Sequence, residues 1–418
     1  MLSDNYISAL DISSSKIAAV VARISKKRIN ELFFEVGPSK GVRKGVVADP
    51  IELVSSISAV IKSLRASSGI NIRTLNVNIS GEDISTRHSR AIIPLAERGN
   101  KVITPSDVSR VNEQARILGS SLQEEIIHCL PYSYAIDSKA NITNPIGLYS
   151  HRLEVDLYLI FAKLSGVQSL ARAVNQCGFD IGDIFFSGLA TSVAVFDNGP
   201  REGVEVLCDI GSDTTDMLVF RNGRLSDIDV VYCGGDDITL RISDELKIPF
   251  ELAEEVKRSH AFMGEHSHLA EDKEILVKKQ DIYKPIPEKR VVEIASREGR
   301  RLCEAIKDKL ERMVPSQRVT NFLCVGRTVM LDGFLESLEN ALATTVKLGR
   351  IRNPEIAGLI NRYDSLSGQR YLTYLTALGL TCQSLHREQA HTLYAVASAR
   401  NIFARAFFKA QEIYQEYF

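Results

Sequence analysis

Two distant segments of the sequence share one pattern, and this repeat constrains the fold more than any other feature. Residues 7–16 read ISALDISSSK, and residues 206–216 read VLCDIGSDTTD. Each segment is an apolar strand followed by Asp-Ile, a turn of small polar residues and the start of a second strand. An internal repeat of this kind indicates two related half-molecules.

The turn of each predicted hairpin is suited to hold phosphate groups. Turns built from Gly, Ser and Thr leave backbone N–H groups free, and their small side chains allow phosphate to approach closely. Asp11 and Asp209 end the first strand of each hairpin, where a carboxylate could hold hydrated Mg²⁺. Lys16 could reach a phosphate as a point charge. Two such hairpins facing each other would clamp a nucleotide, whereas a single one would more often be an ordinary hairpin with a polar tip.

Composition narrows the class of protein. The 418 residues suffice for roughly two to four domains. The 51 Lys and Arg against 52 Asp and Glu give a formal net charge of −1, and 44% of the residues are hydrophobic. These values predict a globular chain and argue against a nucleic-acid binder, whose affinity would rest on clustered Lys and Arg. We expect no signal peptide and no membrane-spanning segment, and the 7 Cys form no C-x-x-C pair.

Hydrophobic spacing predicts an alternation of strands and helices. Between about residues 81 and 165 the pattern changes to a compact α+β insert. The remaining apolar runs at a spacing near 3.6 predict helices at 51–66, 166–177, 236–246, 250–260, 291–313, 331–342 and 371–381.

The motifs resemble those of the actin/Hsp70/sugar-kinase ATPase superfamily. More closely, the chain is similar along nearly its whole length to the FtsA family of bacterial cell-division proteins. Asp11–Lys16 and Asp209–Asp216 resemble the two phosphate motifs of that family, and Gly234–Asp236 its G-G-D segment. The stretch 142–156 resembles the special subdomain called 1C, and 374–380 resembles the closing helix.

The resemblance implies an α/β, actin-like two-lobed fold with duplicated ribonuclease-H-like cores, an FtsA-type 1C subdomain and a C-terminal amphipathic helix. The implied order along the chain is subdomain 1A at 1–82, 1C at 83–165, the rest of 1A at 166–200, 2A at 201–234, 2B at 235–313, the rest of 2A at 314–382, a linker at 383–399 and a membrane-targeting helix at 400–418.

The resemblance also implies a site for ATP and Mg²⁺. Asp11 and Asp209 would hold the metal and serve as the catalytic carboxylates. The residues implied to surround the nucleotide are Asp11, Ser13, Ser14, Ser15, Lys16, Asp209, Gly211, Ser212, Asp213, Thr214, Thr215, Gly234, Gly235, Asp236, Glu254, Lys257, Gly326, Arg327 and Thr328.

Three residues of this site depart from the family pattern. Ser13 and Asp213 stand where the family usually has Gly, and Arg327 lies in a turn that usually reads Gly-Gly-Gly. Ser tolerates a positive φ poorly, and an extra carboxylate near the γ-phosphate is unfavourable unless a metal or Lys16 offsets it. Arg327 could stack on the base or fill the pocket. We therefore expect at most a slow ATPase.

Glu254 and Lys257 lie one helical turn apart in a predicted helix. The resemblance implies that they face the ribose and the base, whereas their spacing alone is equally compatible with a solvated salt bridge. His260, His266 and His268 lie in a polar stretch without the spacing of metal ligands, so we expect no metal site there.

The last residues are predicted to form an amphipathic helix with an aromatic face. On pattern alone it could pack on the protein's own core, fit a partner's groove or lie in a bilayer interface. The resemblance favours the membrane, since members of the family end in such an anchor. The residues implied to face the membrane are Ile402, Phe403, Phe407, Ile413, Tyr414, Tyr417 and Phe418.

The leading functional hypothesis is an actin-like adaptor. By resemblance it would bind ATP, polymerise with itself, recruit other division proteins and tether the FtsZ ring to the cytoplasmic face of the membrane at the septum. The C-terminal peptide of FtsZ would dock on residues 235–313. The alternatives are a pseudo-ATPase scaffold, a PilM-like pilus-assembly protein and a small-molecule kinase of the same fold. The sequence has no P-loop, so a Walker-type ATPase is not indicated.

Overall fold

The computed structural model describes residues 5–391, apart from 97–98, 138, 198, 200, 265–273, 280–281 and 316–317. The first half contains β1 (Tyr6–Ile12), β2 (Lys16–Ser25), β3 (Arg28–Pro38), β4 (Val42–Arg43), β5 (Val46–Val47), α1 (Pro50–Ser68), β6 (Thr74–Ile79), β7 (Ile84–Pro94), β8 (Lys101–Val102), α2 (Pro105–Gly119), β9 (Glu124–Ile136), β10 (Lys139–Ile142), β11 (Tyr149–Ser150), β12 (Arg152–Lys163), α3 (Leu164–Gln176), β13 (Asp180–Phe186) and α4 (Ser187–Val195).

The second half begins with another hairpin. Its elements are β14 (Val204–Ile210), β15 (Thr215–Arg221), β16 (Arg224–Val231), α5 (Gly235–Leu246), α6 (Phe250–His260), β17 (Glu274–Lys279), β18 (Ile282–Pro287), α7 (Glu288–Met313), β19 (Val319–Val325), α8 (Phe334–Leu342), β20 (Val346–Leu348), α9 (Pro354–Ala357) and α10 (Leu375–His391).

The predicted duplication is present as two five-stranded sheets with the same topology. The first has the order β13-β6-β1-β2-β3, and the second has the order β16-β15-β14-β19-β20. In each sheet three consecutive strands pair antiparallel, and two later strands add in parallel beside the first of them. This arrangement confirms the expected pair of ribonuclease-H-like cores in an actin-like fold.

Both central hairpins are buried on both faces, which explains their nearly continuous apolar sequences. In β2 every residue from Ile17 to Ala22 is buried, and in β14 the run from Val204 to Cys208 is buried. Helix α1 covers the first sheet. Its start is set by Asp49, which caps two backbone N–H groups, and its end by Gly69 at φ +67°.

The insert between β6 and α3 is a separate α+β unit, as predicted. Its antiparallel sheet has the order β10-β9-β12-β7, and α2 packs on it through Val111 and Ala115, which are fully buried. Thr104 and Asp107 cap the first turn of α2 reciprocally. The insert also contacts the second lobe, where the Arg224 guanidinium donates to the Tyr132 carbonyl at 2.9 Å.

The second lobe carries its own helical unit. Helices α5, α6 and α7 pack around a small core together with the hairpin β17–β18. Helix α7 spans 26 residues and buries one face, as the sequence pattern predicted for 291–313. The proposed subdomain boundaries remain predictions.

Helix α10 returns from the second half of the chain to the first sheet. It packs against α4 and against β1, β2 and β6. The predicted linker at 383–399 is wrong over 383–391, because these residues continue α10. Leu385 is buried, and Arg387 pairs with Asp183 of β13 at 2.9 Å.

Residues 392–418, with the predicted linker end and amphipathic helix, lie outside the described residues. This includes the proposed membrane-facing residues Ile402, Phe403, Phe407, Ile413, Tyr414, Tyr417 and Phe418. Within the described ranges, no helix combines the length and the apolar character that crossing a bilayer requires.

Candidate functional site

The turns β1–β2 and β14–β15 both line one cleft of about 730 Å³ between the two halves. The cleft is lined by most of the residues that the resemblance placed around a nucleotide: Asp11, Ser13, Ser14, Ser15, Lys16, Asp209, Gly211, Ser212, Asp213, Thr214, Gly235, Asp236, Glu254, Lys257, Gly326, Arg327 and Thr328. Thr215 and Gly234 do not belong to this lining. The Thr215 hydroxyl instead donates to the Cys233 carbonyl at 3.0 Å.

Asp11 at the end of β1 is almost fully buried and is held by three donors. Lys16 Nζ lies 2.5 Å from its Oδ2, and Ser13 Oγ and Asn78 Nδ2 each donate to its Oδ1 at 2.9 Å. Lys16 also donates to the Thr373 carbonyl at 2.6 Å. The first turn is thereby fixed to the segment that leads into α10.

Ser13 occupies its turn without the backbone strain that the sequence led us to expect. It is not among the described non-glycine residues with a positive φ. Its amide donates to the Lys16 carbonyl at 3.0 Å, which closes the turn. The replacement of Gly by Ser therefore leaves the first turn intact.

The second turn is fastened to the first turn of α5. The Gly235 amide donates to the Gly211 carbonyl at 3.0 Å, and the Asp236 amide donates to the Ser212 carbonyl at 2.8 Å. A Cβ on Gly234 would lie 2.5 Å from the Ser212 oxygen. Gly234 thus serves this site by allowing close backbone approach rather than by lining the cleft.

Both turns offer unused backbone donors. Among the residues that the structure describes, the N–H groups of Ser14 and Ser15 in the first turn have no acceptor, and neither do those of Ser212, Asp213 and Thr214 in the second. Successive free N–H groups in a tight turn form a concavity that suits phosphate oxygens.

Three carboxylates meet beneath these turns. Asp209 and Asp216 are directly opposite each other across the β14–β15 ladder. Loss of hydration and repulsion from Asp11 raise the pKa of Asp209 to about 6. Loss of hydration and repulsion from Asp209 raise the pKa of Asp216 to about 7. Like charges placed opposite each other are destabilising unless a cation offsets them.

Asp216 is a carboxylate of the cleft lining that was not among the predicted site residues. It is buried, and its Oδ1 has no hydrogen-bond partner among the described residues. The signal was present in the sequence, because a four-residue turn after Ile210 places residue 216 opposite residue 209. A buried carboxylate oxygen without a donor lies here beside one further carboxylate, that of Asp209, and carboxylate oxygens are ligands that Mg²⁺ accepts.

The extra carboxylate in the second turn, Asp213, lies beside another carboxylate, Asp236. Burial and the adjacent Asp213 carboxylate raise the pKa of Asp236 to about 7. The Lys44 amide, at the tip of the β4–β5 turn, donates to Asp213 Oδ2 at 2.9 Å. Asp213 therefore contacts the first half of the molecule across the cleft.

Glu254 and Lys257 form an ion pair that is mostly shielded from solvent rather than a solvated one, and their contact with a ribose and base stays a prediction. They line the cleft and also form an ion pair of 2.6 Å. Lys257 further donates to the Gly235 carbonyl at 2.9 Å, and Thr239 donates to Glu254 at 2.6 Å. A Cβ on Gly235 would lie 2.6 Å from Thr328 Oγ1, so this wall of the cleft is closely packed.

The turn after β19 carries Arg327 into the cleft. Gly326 has φ +92°, and a Cβ there would lie 2.2 Å from the Ile210 carbonyl oxygen, so only glycine fits. Arg327 Nη2 then donates to Ser15 Oγ at 2.7 Å in the opposite turn. Burial lowers the pKa of the Arg327 guanidinium from its ordinary value.

Further lining residues come from segments without a recognisable motif. The stretch between α9 and α10 contributes several of them, since it crosses from the second sheet to the first above the cleft. The main unpredicted lining residues are Ser187, Met330, Ser367, Gly368, Gln369, Arg370, Leu372, Thr373 and Thr376.

The sequence analysis expected no metal site at His260, His266 and His268. His260 lies 3.5 Å from Glu288, while His266 and His268 fall outside the described residues. Across the part of the chain that the structure describes, no group of three His, Cys, Asp or Glu side chains has the arrangement of a bare metal site.

Two family models match the chain. Residues 81–161 match the model of the SHS2 domain inserted in FtsA, and residues 206–367 match the model of the cell division protein FtsA. The first covers the α+β insert, and the second covers most of the second lobe, including the β14–β15 turn.

Several proteins with similar sequences are also named cell division protein FtsA. The cell division protein FtsA of Borreliella burgdorferi is 32% identical over 260 residues, which are 61% of this chain and 62% of the relative. FtsA of Pseudomonas aeruginosa is 29% identical over 260 residues, which are 62% of each chain. The matched part of this chain thus spans less than two thirds of the length of these relatives. FtsA of Bacillus subtilis is 27% identical over 379 residues, which are 90% of this chain and 82% of the relative.

Solved structures agree on the fold. A chain of the PilM–PilN type IV pilus biogenesis complex superimposes with a TM-score of 0.61 at 17% identity, covering 91% of this chain and 98% of that chain. MreB5 of Spiroplasma citri bound to ADP gives 0.53 at 9% identity, covering 93% and 98%. At these identities the likeness bears on the fold alone, and that fold is actin-like.

Proposed function

Because the chain belongs to the FtsA family of bacterial cell-division proteins, we propose that it binds ATP with Mg²⁺ between its lobes, polymerises, and tethers the FtsZ ring to the cytoplasmic membrane. The observation that supports nucleotide binding best is the pair of equivalent turns on one cleft of about 730 Å³. Their free N–H groups lie on both sides of that cleft, as a clamp on a phosphate chain requires.

The carboxylates beneath the turns would hold the metal. Asp11 and Asp209 would offer hard oxygen ligands to hydrated Mg²⁺, with Asp216 opposite Asp209, and the ion would neutralise part of the phosphate charge. Lys16 orients the Asp11 side chain through its 2.5 Å contact. The turns bind and orient the phosphates, and the surrounding walls exclude water from them.

The nucleotide would act mainly by fixing the closure of the two lobes. The second turn reaches the first half through the Lys44 amide and Asp213, and Arg327 reaches Ser15. A ligand that contacts both turns stabilises the closed arrangement by the difference between its affinities for the closed and open forms. This role suits an adaptor in which the nucleotide controls the geometry of a filament rather than driving a chemical reaction.

We place the partners on separate surfaces. The C-terminal peptide of FtsZ would dock on the helical unit formed by α5, α6 and α7, within 235–313. Other copies of the chain and further division proteins would use the remaining faces of the two lobes. The proposed localisation is peripheral, on the cytoplasmic face of the membrane at the septum.

Nucleotide binding is testable by titration. We expect labelled ATP to bind in the presence of Mg²⁺, and Asp11→Asn to weaken this binding by at least about tenfold, since one charged metal ligand is lost. Isothermal titration calorimetry measures both affinities. Absence of binding at millimolar ATP would remove the nucleotide from the proposal and leave a pseudo-ATPase scaffold with the same partners.

Membrane attachment is testable by sedimentation with liposomes. Deleting residues 400–418 is expected to abolish co-sedimentation, and the double change Phe403→Glu with Phe407→Glu should have the same effect, because apolar area dominates the predicted insertion. Lys409→Gln, on the polar face, is the control and should retain most of the binding. Lipid binding that survives the deletion would refute the anchor.

A further inference from the structure

Arg327 differs in its contacts from three other cations of the cleft. Lys16, Lys257 and Arg258 each lie within 2.9 Å of a carboxylate oxygen. Arg327 makes no ion pair with any described carboxylate, and its recorded acceptor is the neutral hydroxyl of Ser15 at 2.7 Å.

This arrangement is costly in the absence of an anion. The Arg327 guanidinium has lost much of its hydration, and burial accordingly lowers its pKa. A desolvated charge without a counter-ion is unfavourable, and an anion that contacts it restores the lost interaction. The carboxylates of Asp11, Asp236 and Glu254 attract it at longer range without contacting it.

The position of the guanidinium shows where such an anion would lie. Its own turn is held in place because Gly326 packs against the Ile210 carbonyl. From there the side chain spans the cleft to the first turn, where the N–H groups of Ser14 and Ser15 have no described acceptor. An anion received by those N–H groups would therefore contact Arg327 as well.

We propose that Arg327 binds the phosphate chain of the nucleotide, so that the turn after β19 recognises nucleoside di- and triphosphates through their phosphates. The inference rests on the proposed nucleotide binding. A guanidinium pairs with phosphate through two parallel hydrogen bonds, which a hydroxyl cannot match. The hydrogen bond to Ser15 orients the guanidinium, and phosphate replaces Ser15 as its partner on binding.

The same geometry disfavours the two roles that the sequence left open for this side chain. Stacking on the base would require the guanidinium to turn away from the free N–H groups of the first turn. Arg327 does not fill the pocket either, because the cleft retains about 730 Å³ with this side chain in place. That volume lies in the range of ordinary ligand sites.

The test compares ligands as well as variants of the full chain. Affinities for ATP, GTP, adenosine and inorganic tripolyphosphate are measured by calorimetry with Mg²⁺. For the unchanged protein we expect tripolyphosphate to compete with both ATP and GTP. Arg327→Gln should weaken ATP and tripolyphosphate by about 10–100-fold and leave adenosine unchanged, since a bidentate charged contact is lost. The affinities of Arg327→Lys for ATP and tripolyphosphate should lie between those of the unchanged protein and those of Arg327→Gln.

The matched control is Arg172→Gln, the same substitution on the exposed face of α3, outside the cleft lining. It should change no affinity. Equal or tighter ATP binding by Arg327→Gln, or an equal loss for adenosine, would overturn the inference and leave nucleotide binding standing. Tripolyphosphate binding without ATP binding would uphold the phosphate site and remove the nucleotide. If the unchanged protein binds neither ATP nor tripolyphosphate, the proposed nucleotide binding and the proposed role of Arg327 both fail.

Discussion

Gly379→Ala is expected to lower the free energy of unfolding by about 3 kcal/mol, because the added methyl group has no room between α4 and α10. Its Cβ would lie 1.8 Å from the carbonyl oxygen of Ala190, a backbone atom that cannot move alone. Alanine in a helix gains up to about 1 kcal/mol over glycine in propensity. The clash exceeds this gain, since relieving it requires the two helices to separate over a buried contact.

The measurement is urea unfolding followed by far-ultraviolet circular dichroism, since the chain has no Trp to report by fluorescence. Gly358→Ala is the matched control. Gly358 ends α9 at φ −71°, and a Cβ there would meet no atom within 4 Å. We expect that variant to differ from the unchanged protein by less than about 0.5 kcal/mol. Equal stability of the Gly379→Ala and Gly358→Ala variants would contradict the close packing of α4 and α10.

The second large effect concerns pH. Asp216→Asn is expected to stabilise the metal-free protein by about 2–3 kcal/mol at pH 8 and to have little effect near pH 4. The folded state raises the pKa of Asp216 from 3.8 to about 7. Between these values the folded protein holds a proton that the unfolded chain has released. The contribution of this group to stability therefore falls as the pH rises through that window, and the penalty is complete above pH 7.

The readout is the difference in unfolding free energy between the variant and the unchanged protein at pH 4.5 and pH 8, because other carboxylates also titrate in that range. Asp308→Asn, an exposed carboxylate of α7, is the control and should show no such difference. Added Mg²⁺ should recover stability at pH 8 in the unchanged protein more than in Asp216→Asn. A variant that is less stable than the unchanged protein at pH 8 would show that Asp216 is not under electrostatic strain.

Local and repeated features of this fold could be predicted from the sequence. The two hairpins follow from alternating or continuous apolar runs that end in Asp-Ile and a small polar turn, and the structure gives both sheets the same order. Helix α1 follows from its apolar spacing, its Asp49 cap and its terminal Gly69. These signals lie within a few residues of each other, so no knowledge of distant contacts is needed to interpret them.

The parts that could not be predicted depend on contacts between distant segments. Arg327 was recognised as unusual, yet its partner Ser15 is 312 residues away and no local pattern identifies it. The contact of Lys16 with the Thr373 carbonyl spans 357 residues. The end of α10 was misplaced because burial of Leu385 against the first lobe, rather than its own weak pattern, extends the helix.

The return of α10 to the first sheet determines when that lobe can be completed during synthesis. The strands that α10 covers are finished by Ile79, whereas α10 begins at Leu375. At about 5–20 residues per second, the ribosome needs roughly 15–60 s to make the chain between them. From the moment Ala190 is made, the first lobe exposes the surface of Ala190 and its neighbours, which is buried in the finished protein. The first lobe to be made is therefore the last to close, and a chain interrupted before residue 375 leaves both the lobe and its β1–β2 turn without their final support.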